Sequence, residues 1–255
     1  MNAVPVKGGT VLKFRTPWPL SLCLFCLTIF WISAPVQAQT VTVTGVVEVT
    51  KSASQKSAPS SADVAVWLTP ASETQVSLPK RKFVLVQKNK TFEPHVLVVP
   101  AGSEVDFPNK DPFFHNVFSL FDGKRFDLGL YEAGTSKALR FDRPGISFLF
   151  CNIHSEMSAV VIALETPYYG VSNRSGKITI ADVPPGKYIL HVWKEGASPE
   201  ALKALSRPIV VASDSTTLGK LAVPDNAALP MTHKNKYGKD YDNTTPGGTV
   251  YNPPQ

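Results

Sequence analysis

One cysteine, two histidines and a methionine carry the chemistry in this sequence. Cys151 opens the stretch Cys151-Asn152-Ile153-His154-Ser155-Glu156-Met157, so His154 follows three residues later and Met157 three after that. A second histidine, His115, lies upstream in Asp111-Pro112-Phe113-Phe114-His115-Asn116-Val117. Together they offer a thiolate, two imidazoles and a thioether. Thiolate and thioether favour Cu(I), and imidazole tolerates both oxidation states. Two histidines and a cysteine in a plane, with a weak, long methionine bond, make the copper geometry used for one-electron transfer. Zinc more often takes further cysteine, histidine or carboxylate, and rarely a thioether. Taken singly, each residue has a plainer role: Cys151 as a small buried hydrophobe, His115 as a turn residue, Met157 as core filling. Type and spacing coincide in a chain with only five histidines, and that coincidence predicts a copper site.

Such a set needs rigid elements to hold it. The run 40–50 (TVTVTGVVEVT) alternates β-branched residues and predicts a strand. Short apolar runs at 63–68, 82–87, 95–99, 104–107, 126–131, 137–141, 146–150 and 159–164 predict more, parted by turns such as Pro100-Ala101-Gly102 and Pro144-Gly145. Cys151 thus ends a strand, which fixes its side-chain direction. His154 and Met157 fall on the loop before the next strand. After Pro167 a second pattern runs through 177–180, 188–193, 208–211 and 216–223, with the turn Val183-Pro184-Pro185-Gly186 inside it. The best short helix candidate is 198–205 (SPEALKAL). Twenty-two prolines and sixteen glycines punctuate the runs and no long helical period exists, so the expected class is all-β. The stretch 51–61 reads as a polar, serine-rich loop, and 224–255 as an irregular polar tail.

The run FEPHVLVVPAGSEVDFPNKDPFFHNVFS at 92–119, followed by RPGISFLFCNIHSEM at 143–157, resembles the cupredoxins of the plastocyanin/amicyanin type. The short C-x-x-H-x-x-M loop is most similar to that of amicyanin. This resemblance spans 92–164 and implies a Greek-key β-sandwich with His115, Cys151, His154 and Met157 as ligands of one type 1 copper. It implies that Asn116, directly after the first ligand, ties the two ligand loops together from outside the ligand set. It also implies that His154 lies near the surface and passes the electron to a redox partner protein in a transient contact. The flanking pieces TVTGVV, ADVAVWLTP and SGKITIADVPPGKYILHVW resemble the carboxypeptidase regulatory-like (transthyretin-like) β-sandwich, on looser motifs. The expected organisation is a signal peptide at 1–38, first strands of the regulatory-like sandwich at 40–80, and a cupredoxin-like copper domain at 81–165. The rest of the regulatory-like sandwich follows at 166–223, then the tail at 224–255. A single enlarged sandwich is the alternative.

The N-terminus sets the expected compartment. Lys7, Lys13 and Arg15 accompany a mostly apolar run at 17–33, and Ala34-Pro35-Val36-Gln37-Ala38 supplies the small residues that a signal peptidase reads. Cleavage after Ala38 predicts a periplasmic or secreted protein with no stable membrane span. An uncleaved anchor is the alternative, because the run is just long enough to cross a bilayer. Cleavage removes Cys23 and Cys26 and leaves Cys151 as an odd cysteine in a disulfide-permissive compartment, which a metal ligand explains. It also removes three basic residues and no acidic ones, so the positive excess of six falls to three. That is too mild for a nucleic-acid partner.

The leading functional expectation is an exported electron carrier, with Phe113, Phe114 and Ile153 as an apolar rim for docking. Alternatives are a periplasmic copper-binding or delivery protein and a scaffold or docking module. Delivery proteins tend to expose several methionines or histidines, and only Met157 and Met231 remain after cleavage. Enzymatic activity is not expected: no His-x-His pair offers a second copper centre and no G-x-S-x-G nucleophile motif occurs. His95, His191 and His233 are not expected to be ligands.

Overall fold

The computed structural model describes residues 8, 39–50, 60–72, 76–79, 81–120, 123–225 and 234–241. All of these except Gly8 belong to the compact unit Ala38–Gln255. The expected signal segment (Gly8 apart) and His233 lie outside the described residues.

The fold is all-β with one short helix. It opens with β1 (Val41–Thr50) and β2 (Ala65–Pro70). Next come β3 (Lys82–Val84), β4 (Val86–Lys88), β5 (Thr91–Glu93), β6 (Val96–Pro100), β7 (Ser103–Pro108) and β8 (His115–Ser119). They are followed by β9 (Phe126–Tyr131), β10 (Ser136–Phe141), β11 (Gly145–Phe150) and β12 (Ser158–Leu164). The last elements are β13 (Tyr169–Val171), β14 (Lys177–Val183), β15 (Gly186–Trp193), α1 (Pro199–Leu205), β16 (Arg207–Val211) and β17 (Thr216–Pro224).

Two sheets, β14-β1-β17 and β13-β2-β15-β16, enclose one core. In β1 the valines at 41, 43, 47 and 49 are buried while Thr42, Glu48 and Thr50 are exposed, the period-2 pattern of a half-buried strand. They pack with Val66, Leu68, Ile178, Ile180 and Leu190, so both ends of the described sheet-forming chain share this core. Gly176 opens β14 with φ 75°; a Cβ there would overlap the Val47 carbonyl, and the Gly176 carbonyl accepts from Val47 N–H at 2.8 Å.

Two further sheets, β10-β7-β3 and β6-β12-β11-β8-β9, enclose a second core of Val105, Phe107, Phe141, Leu149, Met157 and Val161. A third apolar cluster joins the two sandwiches. In β12, Ala159, Val161 and Ala163 face the second core, while Val160, Ile162 and Leu164 join Val96 and Val98 against Ala65 of β2 and Trp193 of β15. A strand covered on both faces reads as a continuous apolar run, which is what SAVVIAL is.

The helix lies where expected. Ser198 caps it by accepting from Ala201 N–H at 3.2 Å, and proline fills its first turn. The sequence expectation misses β5, β8 and β13, and its single strand at 82–87 is two, with Leu85 buried between them. β8 (HNVFS) is buried at every position, so no alternation marks it. The β4–β5 hairpin turns through Asn89 and Lys90 at φ 54° and 56° without the glycine that usually announces such a turn.

Candidate metal centre

β8 and β11 are antiparallel neighbours, paired at Phe118 and Phe150. The start of one and the end of the other therefore meet at one end of the sheet. His115 is the first residue of β8, and Cys151 follows the last residue of β11. The loop 151–157 is closed twice by backbone: Cys151 N–H donates to the Met157 carbonyl and Met157 N–H to the His154 carbonyl, both at 3.1 Å. This brings His154 back to the cysteine. Nδ1 of His115 and Nδ1 of His154 each lie 3.7 Å from Cys151 Sγ. All three candidate ligand atoms fall within 4.8 Å of one another. His115 and Cys151 are fully buried and His154 partly so. Met157 is fully buried in the core cluster that contains Cys151.

The electrostatics suit a ligand set. His115 Nε2 meets Asp111 Oδ2 at 2.8 Å. Donating that N–H leaves Nδ1 with its lone pair aimed at the sulfur side, the arrangement that metal-binding histidines use. Asp111 is itself held: it accepts from the backbone N–H of Asn89 at 2.6 Å and of Lys90 at 2.9 Å. Burial pushes its carboxyl up, but the bonds from Lys90, His115 and Asn89 together outweigh burial and hold it below the ordinary value. It stays ionised. Burial lowers His115 against the pull of Asp111. Burial, then the nearby His115 and Lys90 charges, lower His154 to about 4. Both imidazoles are neutral at neutral pH, as ligation requires. Burial raises the Cys151 thiol, while the backbone N–H groups of Ile153, Asn116 and His154 face the sulfur and oppose that rise. A bound cation would offset the burial cost of the thiolate.

Asn116 faces the sulfur with its backbone N–H, and its side chain donates to Asp127 Oδ1 on β9 at 2.7 Å. The Phe113 ring sits 5.2 Å from the His115 ring and 5.5 Å from the His154 ring, with the two imidazoles 5.0 Å apart. Phe114 is exposed and Ile153 half-buried. His95 lies apart, its Nε2 2.6 Å from Glu195, and His191 stacks on Trp67 at 5.2 Å.

The sequence reading misses Asp111 and Asp127. Asp111 left a signal, a carboxylate four residues before a candidate histidine ligand. Asp127 left none, since it reaches the site only through strand pairing. The donor set fits copper: two neutral imidazoles, one buried thiol and a buried thioether residue on the same short loop.

No protein-family model matches the chain, and no curated protein does either. Solved cupredoxin-containing structures are similar to part of it. A Cu-containing nitrite reductase from Thermus scotoductus SA-01 aligns at 22% identity over 38% of this chain and 26% of its own, with a TM-score of 0.33. The chain thus spans about a quarter of that enzyme. A purple cupredoxin from Nitrosopumilus maritimus aligns at 20% identity over 32% of this chain and 99% of its own, TM-score 0.30. An amicyanin P94A mutant aligns at 21% over 32% and 82%, TM-score 0.31. Likeness of this degree bears on neither ligands nor function, and the site rests on its own geometry.

Proposed function

We propose that this protein is an exported type 1 copper protein that carries single electrons and catalyses no reaction of its own. The observation that carries the reading is the convergence of two imidazole Nδ1 atoms on one buried thiol, 3.7 Å from each. His115, Cys151 and His154 would hold the ion, with Met157 as the weak fourth ligand. Bound copper supplies a one-electron Cu(I)/Cu(II) couple. The chain's own contribution is rigidity and exclusion of water. Asp111 fixes the His115 ring, three backbone N–H groups face the sulfur, and Phe113 packs on both imidazoles. Neighbours that cannot move keep the reorganisation on electron transfer small. His154, the least buried of the three, is the exit toward a transient redox partner, which docks on Phe113, Phe114 and Ile153.

Export rests on the sequence at 1–38. Among the described residues no helix is long and apolar enough to cross a membrane.

The test is a visible spectrum of the purified protein with added Cu(II). An intense blue thiolate-to-copper band is expected, and Cys151→Ser should abolish it. Absence of the band in the native protein would overturn the reading and turn attention to copper delivery or to docking.

A further inference from the structure

The segment 234–241 bonds to the loop 151–157 and to Asp127 of β9. It is a self-contained turn: Asn235 N–H donates to the Lys239 carbonyl at 2.9 Å, and Asn235 Oδ1 accepts from Tyr237 N–H at 3.0 Å and from Lys239 N–H at 3.1 Å. From this segment two bonds reach the ligand loop 151–157 and a third reaches Asp127 of β9. Lys236 N–H donates to Asn152 Oδ1 at 2.9 Å, on the residue next to Cys151. Tyr241 O–H donates to the Cys151 carbonyl at 2.7 Å. Lys236 Nζ pairs with Asp127 Oδ2 at 2.8 Å, while the other oxygen of Asp127 holds the Asn116 side chain at 2.7 Å. Asn116 follows His115 and turns its own N–H toward the Cys151 sulfur.

One short stretch of chain therefore bonds to the cysteine's own peptide, to the residue after it and, through one carboxylate, to the residue beside the first histidine. The partners are far apart in sequence, so the contact is not a by-product of local folding: Tyr241 and Cys151 are 90 residues apart and Lys236 and Asp127 are 109. The Lys236–Asp127 pair is about a fifth exposed on the lysine side and just over a third on the aspartate side, so it acts as an orienting contact more than as a source of stability.

We infer that 234–241 is a clasp that sets the position of the Cys151 sulfur relative to the two imidazoles, with Lys236 and Tyr241 as its positioning residues. The inference rests on the copper reading for its spectroscopic consequence, but its mechanical consequence stands without the metal. With the clasp in place the loop 151–157 is tied at its start, at the Cys151 carbonyl and at Asn152, and the thiol stays closed off. With it released, the loop gains freedom at Asn152 and at the Cys151 carbonyl, and the sulfur becomes both more accessible and less narrowly oriented.

The experiment compares the full chain with Lys236→Gln/Tyr241→Phe and with Lys236→Arg. In metal-free protein, alkylation of Cys151 by iodoacetamide is followed by peptide mass mapping, which separates it from Cys23 and Cys26. The double variant removes the two side-chain bonds, to Asp127 and to the Cys151 carbonyl, and keeps the Lys236 backbone N–H on Asn152. Losing those two is expected to speed Cys151 alkylation roughly tenfold, and Lys236→Arg to stay near the native rate. In Cu(II)-loaded protein the double variant is expected to shift the thiolate-to-copper band or its EPR hyperfine splitting, a readout that general loosening elsewhere would not move. An unchanged alkylation rate in the double variant overturns the clasp. An unshifted spectrum in a variant whose thiol has become reactive overturns the positioning role. Should the native protein give no band at all, the copper reading fails by itself, and the alkylation rates still decide the clasp. The variant side chains lie outside all three apolar clusters, so both sandwiches keep their cores.

Discussion

At the scale of single residues, the most informative side chain is one that cannot bind the proposed ion's sulfur face at all. Asp111 lies behind His115, takes its Nε2–H and is itself gripped by the β4–β5 turn through the Asn89 and Lys90 amides. The carboxylate thus passes the rigidity of a hairpin to the His115 ring. Asp111→Asn keeps the size but removes the charge and offers the ring a different partner. Copper affinity is expected to fall roughly 10- to 100-fold, the usual cost of losing such a support. Competition with a chelator of known affinity measures it, and an unchanged affinity would show that the ring is held by packing alone. Cys151, His154 and Met157 were readable as a donor set because they lie close together just after a recognisable strand, and His115 was picked out by the run 111–117 although its own strand β8 was not. Asp111 was in view but had no role until its distance to Nε2 was known.

At the scale of elements, β12 explains how one strand serves two cores. Its even-numbered residues from Val160 to Leu164 face the other sandwich, and its odd-numbered ones from Ala159 to Ala163 line the core that contains Cys151 and Met157. Ile162 is about 1% exposed. Ile162→Ala leaves a cavity in the layer between sandwiches and should cost about 2–4 kcal/mol in denaturant unfolding. Val46→Ala, on the exposed face of β1, should change stability by less than about 0.5 kcal/mol. Equal effects at the two positions would mean that the inter-sandwich layer is not well packed. The strand itself was legible as an apolar run. Which face covers which core was not, because continuous burial erases the period that would assign the faces. The same erasure hid β8.

At the scale of the whole molecule, His95 and Glu195 bridge the two sandwiches at 2.6 Å. Glu195 lies just past β15 and His95 just before β6, and Asp63 and the Ser158 carbonyl also face the imidazole. The hydrogen bond that His95 Nε2–H donates to the Glu195 carboxylate raises the His95 pKa; burial opposes it, and the charges of Glu195 and Asp63 add to the rise. A raised histidine pKa favours the folded state most below the unfolded value of about 6.5. That contribution is lost as pH climbs through the higher folded value. The pair is partly exposed, so after screening its worth is on the order of 0.5 kcal/mol. Metal-free native protein should therefore exceed His95→Gln in Tm by about 1–2 °C near pH 5.5, with the gap narrowing by pH 9. A gap that widens with pH would contradict the assignment.

What the residues determined by themselves was local: an all-β chain, read from short β-branched runs and frequent prolines, and a donor set, read from Cys151, His154 and Met157 on one short loop with His115 upstream. These follow from neighbours in sequence, where period and spacing carry the physics. Tertiary structure alone decided the rest. It chose Asp111 as the partner of His115, gave β12 two cores, joined His95 to Glu195 and laid 234–241, which reads as plain polar tail, across the ligand loops. Each depends on which distant strands or segments come to lie side by side, and a single hydrogen bond between residues a hundred positions apart leaves no periodic mark on either stretch of chain.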